Sequence, residues 1–178
     1  PVIQSAFHTS CLQLGYDTTE DMNGVNPTGV GVVPMNNQNG IRMSTAITYL
    51  GPMRHRLNLT IRGNVFVRKI LTEAGQVTGV EAESGGEVFT VETDKVVLSA
   101  GALKSPHILM LSGIGPKEQL EEFGIPVLQD APGVGANLRN HPIAPISFRL
   151  KEGITLAPDA SGVRIALRYT AKGSKEPN

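Results

Sequence analysis

KVVLSAGALKSPHILMLSGIG, residues 95–115, decides how this chain reads. Val96, Val97 and Leu98 are consecutive apolar residues, the pattern of a strand buried on both faces of a parallel sheet. Ser99, Ala100, Gly101 and Ala102 follow. These small residues leave room between the backbone and a ligand lying across the strand end, as a nucleotide does. Ser105-Pro106 reads as N-cap and first helical residue. Ile108, Leu109 and Leu111 give the helix an apolar face, and Gly113 is a left-handed stop. The stretch therefore predicts a buried strand that turns directly into a helix.

Upstream, the pattern is rich in strands. LNLTIRG (57–63) reads as a strand, and further strands are predicted near 65–72, 76–83 and 87–93, ahead of the one at 95–99. Ala74-Gly75 and Gly85-Gly86 are hairpin turns, which makes the strands at 65–93 an antiparallel meander. Downstream, PKEQLEEF (116–123) is a charged helix ended by Gly124, and IPVLQD (125–130) a short strand. Glu118, Glu121 and Glu122 with Lys117 form a solvated helix face, not a catalytic pair.

Gly101, Ala102, Ser105, Pro106, Ile108, Leu109, Ser112, Gly113, Ile114 and Gly115 fill every specified position of a known pattern. It is small-small-x-x-Ser-Pro-x-aliphatic-aliphatic-x-x-Ser-Gly-aliphatic-Gly. This resembles the second signature of the GMC (glucose-methanol-choline) oxidoreductases, flavin adenine dinucleotide (FAD) enzymes that oxidise alcohols, and is far more specific than a lone glycine motif. The order of a parallel strand, a meander and a parallel strand leading into a helix resembles the distal half of their Rossmann-like flavin domain. The resemblance implies an α/β fold of mixed α+β character. A partial FAD-binding domain with its antiparallel meander would be joined to part of an antiparallel-sheet substrate domain. It assigns residues 1–43 to a substrate-domain or cap segment, 44–142 to the distal flavin domain and 143–178 to the start of the substrate-domain sheet.

The same resemblance implies that the backbone of Val67 meets adenine and that the Ala100-Gly101 turn packs near the adenosine. By itself Val67 reads as a core valine. PGVGANLRNHP (132–142) is similar to the family's glycine-rich return to the flavin, which adds Asn137 as a cofactor-side residue. Asn137, Leu138 and His141 match that pattern, but Asn140 stands where Asp is usual. A charge-assisted bond from that acid would become a neutral one. His141 reads as a loop histidine held by hydrogen bonds, not as a catalytic base.

Residues 2–14 form an amphipathic helix that stops at Gly15 and buries Cys11, the single cysteine, as a structural thiol. The polar, glycine-rich stretch after it (16–40) predicts a long loop, equally a ligand-facing loop or a plain surface one. Asp21-Met22-Asn23-Gly24, Gly29-Val30-Gly31 and Asn39-Gly40-Ile41-Arg42-Met43-Ser44 fall in the order seen where family members pass between substrate and flavin domains. Ser44 to Leu50 predicts a short helix, capped by Ser44 and ended before Pro52. ISFRLKEG (146–153) and VRIALRYTA (163–171) alternate as sheet strands do.

The chain has 178 residues, 16 basic and 16 acidic, so its formal net charge is zero and nothing favours nucleic acid or an anionic membrane as partner. No apolar run approaches the roughly 20 residues of a membrane span. A soluble protein is expected, cytoplasmic by preference. His8, His55, His107 and His141 lie far apart in sequence and lack neighbouring cysteine pairs, so zinc is unsupported.

Pyrophosphate binding needs a strand-Gly-x-Gly-x-x-Gly-helix turn. Gly29-Val30-Gly31 and Gly133-Val134-Gly135 both lack the third glycine. The resemblance implies a catalytic histidine in a C-terminal motif, expected beyond Asn178. The expectation is a central portion of an FAD-dependent alcohol oxidoreductase, inactive alone, completed by further parts of the same protein and acting on a primary alcohol. Two rivals stay open: a non-catalytic scaffold derived from the flavin fold, and a fumarate-reductase-like or amine-oxidase-like flavoenzyme.

Overall fold

A computed structural model of the chain describes residues 2–147, 149, 151–155 and 164–175. In order, the elements are α1 (Val2–Gln13), β1 (Gly29–Val32), β2 (Asn37–Gln38), β3 (Ile41–Arg42) and a π-helical turn (Ala46–Leu50) continuing into α2 (Gly51–Met53). After these come β4 (Phe66–Glu73), β5 (Gln76–Ser84), β6 (Glu87–Glu92) and α3 (Gly101–Leu111). The last are β7 (Ile114–Gly115), α4 (Lys117–Glu122), β8 (Gln129–Asp130) and β9 (Ile165–Arg168). They form two compact units: one gathers the residues up to Leu59 with those from Ile146 onward, the other runs Thr60–Pro145. Residues 44–59 thus group with the N-terminal segment.

In the first unit α1 ends where expected, at Gly15 with φ +86°, and Cys11 is buried as a free thiol. The expected long loop is not all loop. GVGV forms β1, which pairs antiparallel with β9, Val30 opposite Leu167. On its other side Val30 N–H donates to the Asp17 carbonyl (2.8 Å), and Thr19 N–H donates to the Val30 carbonyl (2.9 Å). A Cβ on Gly29 would lie 2.6 Å from the Asp17 carbonyl oxygen, and one on Gly31 would run into that of Thr19. The two glycines therefore let the 17–19 segment cross close over a strand whose Val30 is fully buried. Asn39 and Gly40, at φ +52° and +79°, turn β2 into β3.

The helix expected to stop before Pro52 runs through it. Pro52 lies where the π-helical turn passes into α2, one residue after the turn's last bond, from Gly51 N–H to the Ala46 carbonyl. The N-cap is Thr45, with no side-chain cap bond, in place of Ser44. The strand expected over 146–153 lies partly outside the described residues, and none of its described members is in a strand. Of that expected over 163–171, Val163 lies outside the described residues and Ile165–Arg168 form β9.

The second unit holds the meander as read. β4, β5 and β6 are antiparallel neighbours in that order, burying Ile70 and Ala82. Two-residue turns join them, Ala74-Gly75 at φ +48° and +78° and Gly85-Gly86 at +61° and +86°, matching the right-handed strand twist. LNLTIRG is not a strand. It crosses from the first unit to the second and has no ladder partner among the described residues. Its end is held by Arg62, whose guanidinium lies 4.9 Å from the Phe89 ring centroid.

Residues 95–99 are not a strand either, and Val97 is 88% exposed. A strand buried on both faces needs parallel neighbours and covering helices, and the described residues provide none beside it. Helix α3 starts earlier than predicted, at Gly101, with Ala100 as N-cap and Pro106 inside the helix. Ser105 Oγ accepts the Ala100 N–H at 3.0 Å, closing the turn from within the helix and not as its N-cap. Gly113 is the expected left-handed stop, at φ +82°. Of residues 125–130 only β8 is extended, pairing parallel with β7. The carboxylate of Asp130 accepts the Lys117 N–H (3.1 Å) at the start of α4, whose Leu120 is buried. Gly124 follows this helix at φ +66°.

Candidate functional site

Four residues carry the sequence-level site: Val67, Ala100, Gly101 and Asn137. Val67 lies half-buried on β4, an edge strand with β5 as its only ladder neighbour among the described residues. Pairing steps from Val67–Ala82 to Lys69–Glu81, so Arg68 is the extra residue of a bulge directly after Val67. Bulges re-aim a strand. Here both Arg68 (Nε, 3.4 Å) and Lys69 (Nζ, 3.8 Å) reach Glu81, with Arg68 also 3.7 Å from Glu83. These pairs are partly exposed and worth little stability.

Ala100 and Gly101 form one turn. Gly101 sits at φ +85°, and a Cβ built on it would meet no atom within 4 Å, so the turn presents bare, open backbone. The first N–H groups of α3 have no partner within the helix, and the Ala100 N–H is already taken by Ser105. Helix α3 packs against β4, bringing the turn's helix and Val67's strand together. One hydrogen bond fixes that contact: the buried Ser112 Oγ accepts the Ile70 N–H at 2.8 Å and donates to the Ile108 carbonyl at 2.6 Å.

Asn137 belongs to a loop that leans on the same helix. A Cβ on Gly135 would lie 2.6 Å from Met110 Cε, and turns close by Val134 N–H to the Ala131 carbonyl (3.0 Å) and Ala136 N–H to the Gly133 carbonyl (3.3 Å). Asn137 itself is left-handed, φ +56°, with an exposed side chain. Asn140 Oδ1 accepts the backbone N–H of His141 (2.8 Å), a neutral bond where an Asp would make a charged one. The sequence reading missed the tie from Ser112 to β4, because a contact across 42 residues leaves no local periodicity. The packing role of Gly29 and Gly31 was hidden for the same reason.

Among the described residues no group of His, Cys, Asp and Glu could hold a metal ion. Nor is any of their helices long and apolar enough to cross a membrane. The first unit has a cavity of about 450 Å³ lined by Met22, Asn23, Val33, Arg168 and Tyr169 among others, with Arg168 donating to the Met22 carbonyl (3.3 Å). None of the four candidate residues lines it.

The sequence profile of the GMC oxidoreductases matches residues 1–143. The chain is 44% identical over 155 residues to an oxygen-dependent choline dehydrogenase of Photobacterium profundum, a match covering 86% of this chain and 27% of that protein. It therefore spans about a quarter of that relative's length. Among solved structures, pyridoxine 4-oxidase from Mesorbium loti superposes with a TM-score of 0.69 at 36% identity, over 72% of this chain and 26% of the other. An FAD-dependent oxidoreductase from Chaetomium thermophilum superposes with a TM-score of 0.66 at 32% identity, over 72% and 23%. These matches set aside the fumarate-reductase-like and amine-oxidase-like alternative. The meander, the open turn into α3 and the signature around it are thus part of a mixed α/β flavin-domain fold, and the chain belongs to the GMC oxidoreductase family.

Proposed function

We propose that this chain is the central portion of an FAD-dependent oxidoreductase that acts on the CH–OH group of a primary alcohol of the choline class. Its own contribution is the adenosine side of the cofactor site. The observation that carries this reading is the open Ala100-Gly101 turn, running into a helix that a buried hydrogen bond holds against β4. FAD fits there on two grounds. The bare backbone at Gly101 admits a flat ring system, and edge strand β4 keeps main-chain groups unladdered near Val67. Asn137 would approach from the loop that leans on α3.

When bound, FAD supplies the acceptor for hydride leaving the alcohol carbon. The described residues hold and orient its adenosine end; we assign the alcohol-binding wall and the proton-accepting base to other parts of the protein. In this reading residues 1–43 and 143–178, which contribute β1 and β9, belong to the substrate domain, and 44–142 to the flavin domain. The exposed side chains of Val97 and Leu103 are surfaces that the remainder of the protein covers.

The test compares the protein its gene encodes with the present chain alone. The former should purify with bound FAD, and its flavin absorbance should bleach when choline or another primary alcohol is added without oxygen. The present chain should purify colourless and turn over no alcohol. A flavin-free gene product, or one whose flavin ignores every alcohol offered, refutes the proposal.

A further inference from the structure

We infer that Ser112 is a positioning residue for the cofactor: it sets the spacing between the two backbone stretches that meet adenosine. This deepens the functional reading above and rests on it. The proposed contacts at Val67 and at Ala100-Gly101 are made by main chain, on β4 and at the start of α3. A side chain can change rotamer to follow a ligand, but a backbone contact cannot be corrected that way. Its placement is inherited from the packing of the two elements.

That packing turns on one polar tie. Among the described hydrogen bonds, the only one joining the β4 backbone to the signature stretch is from Ile70 N–H to Ser112 Oγ. The bond is buried, with Ser112 at 6% exposure and Ile70 at 8%. The hydroxyl's single proton is committed in a defined direction, to the Ile108 carbonyl one helical turn back. Ser112 is thus fixed to α3 by its proton and to β4 by its lone pair. The bulge at Arg68 lies between this tie and Val67, so a slip at Ile70 is passed along a strand that already bends there. Losing the hydroxyl leaves the Ile70 N–H buried without a partner. The edge strand regains one only by shifting toward water or another acceptor.

The experiment uses the full gene product, stripped of flavin, and measures the dissociation constants of FAD and ADP by calorimetry. ADP carries the adenosine end without the flavin. Three variants are compared: Ser112→Ala, Ser112→Cys, and Leu120→Ala. The last empties a buried position of the same unit without touching the tie. Ser112→Ala should weaken FAD and ADP by similar factors, about tenfold each. Ser112→Cys, which keeps a weak donor and acceptor, should fall between Ser112→Ala and wild type. Leu120→Ala should lower the melting temperature at least as far as Ser112→Ala while moving either dissociation constant less than about twofold. The inference is overturned if Ser112→Ala binds both ligands like wild type, or if Leu120→Ala weakens them as much. Wild-type protein that binds neither ligand would refute the functional proposal instead. If Ser112→Ala does not fold, Ser112→Cys against Leu120→Ala decides the matter by the same comparison.

Discussion

Replacing Gly113 by alanine should unfold the second unit far more readily than the same change at Gly124, though both glycines are left-handed and follow helices. The backbone conformation disfavours a side chain at each, φ +82° at Gly113 and +66° at Gly124, at a cost of about 1–2 kcal/mol. Their surroundings differ. A Cβ at Gly124 meets nothing within 4 Å, whereas at Gly113 it would lie 2.5 Å from the Pro126 carbonyl oxygen and 2.9 Å from Leu128 Cγ. The first of those is main chain and cannot step aside alone. Moving it disturbs the Gly113 carbonyl, which accepts both the Leu128 N–H (2.8 Å) and the Gln129 N–H (3.1 Å) and so leads into the β7–β8 pairing. Overpacking costs about 1–3 kcal/mol and each weakened hydrogen bond about 1 kcal/mol. Gly113→Ala should therefore lose about 3–5 kcal/mol more than the about 1–2 kcal/mol of Gly124→Ala. The chain has no tryptophan, so urea unfolding is best followed by far-ultraviolet circular dichroism. With about 4–8 °C per kcal/mol for a domain this small, the two melting temperatures should separate by at least about 12 °C. Equal midpoints for the two variants would refute the close-packing argument and leave only the backbone term.

Ala74 is the first residue of a two-residue turn and sits at φ +48°, a region that asparagine adopts more readily than alanine. Ala74→Asn should stabilise the protein by about 0.5–1 kcal/mol, seen as a higher urea midpoint with unchanged slope. Gly31→Ala should cost about 2 kcal/mol or more, because its Cβ runs into the Thr19 carbonyl. Gly63→Ala, with open space and no positive φ, should change little. Limited proteolysis around residues 17–33 checks the pair, and equal cleavage rates would remove the packing role given to Gly31.

The meander was legible because its ladder closes on itself. Two turn pairs and alternating strands of neighbouring sequence contain all the information that β4 to β6 require. Gly15, Gly113 and Gly124 were legible for a related reason, since a helix stop is a local event. The strand at 95–99 was misread because consecutive valines specify burial without supplying the neighbours that bury them. GVGV failed in the opposite way. Its glycines read as loop, yet they serve a crossing by residues 17–19 and a pairing with Ile165–Arg168, more than 130 residues away. Ser105 was recognised as a helix-start residue, but its hydroxyl reaches back to Ala100 from inside α3, so the helix begins four residues before the predicted N-cap.

Of the candidate site only the small residues Ala100 and Gly101 were legible from the residues themselves, with Val67 and Asn137 coming from the family resemblance, and the physical design explains why. A site that meets its ligand with backbone constrains side chains indirectly: it asks for smallness where the ligand lies and for fixed packing behind. Val67 supplies the sharpest test of that logic. Its side chain is half-buried in the meander, while its proposed contact with adenine is through the main chain. Val67→Ile keeps a β-branched strand former, adds one methylene and leaves the backbone groups unchanged. FAD affinity of the full gene product should stay within about twofold. Val67→Pro removes the N–H and breaks the strand geometry, and should abolish binding even where the fold survives. A tenfold loss in Val67→Ile with an unchanged melting temperature would mean that adenine reads the side chain. The backbone account of β4 would then have to be abandoned.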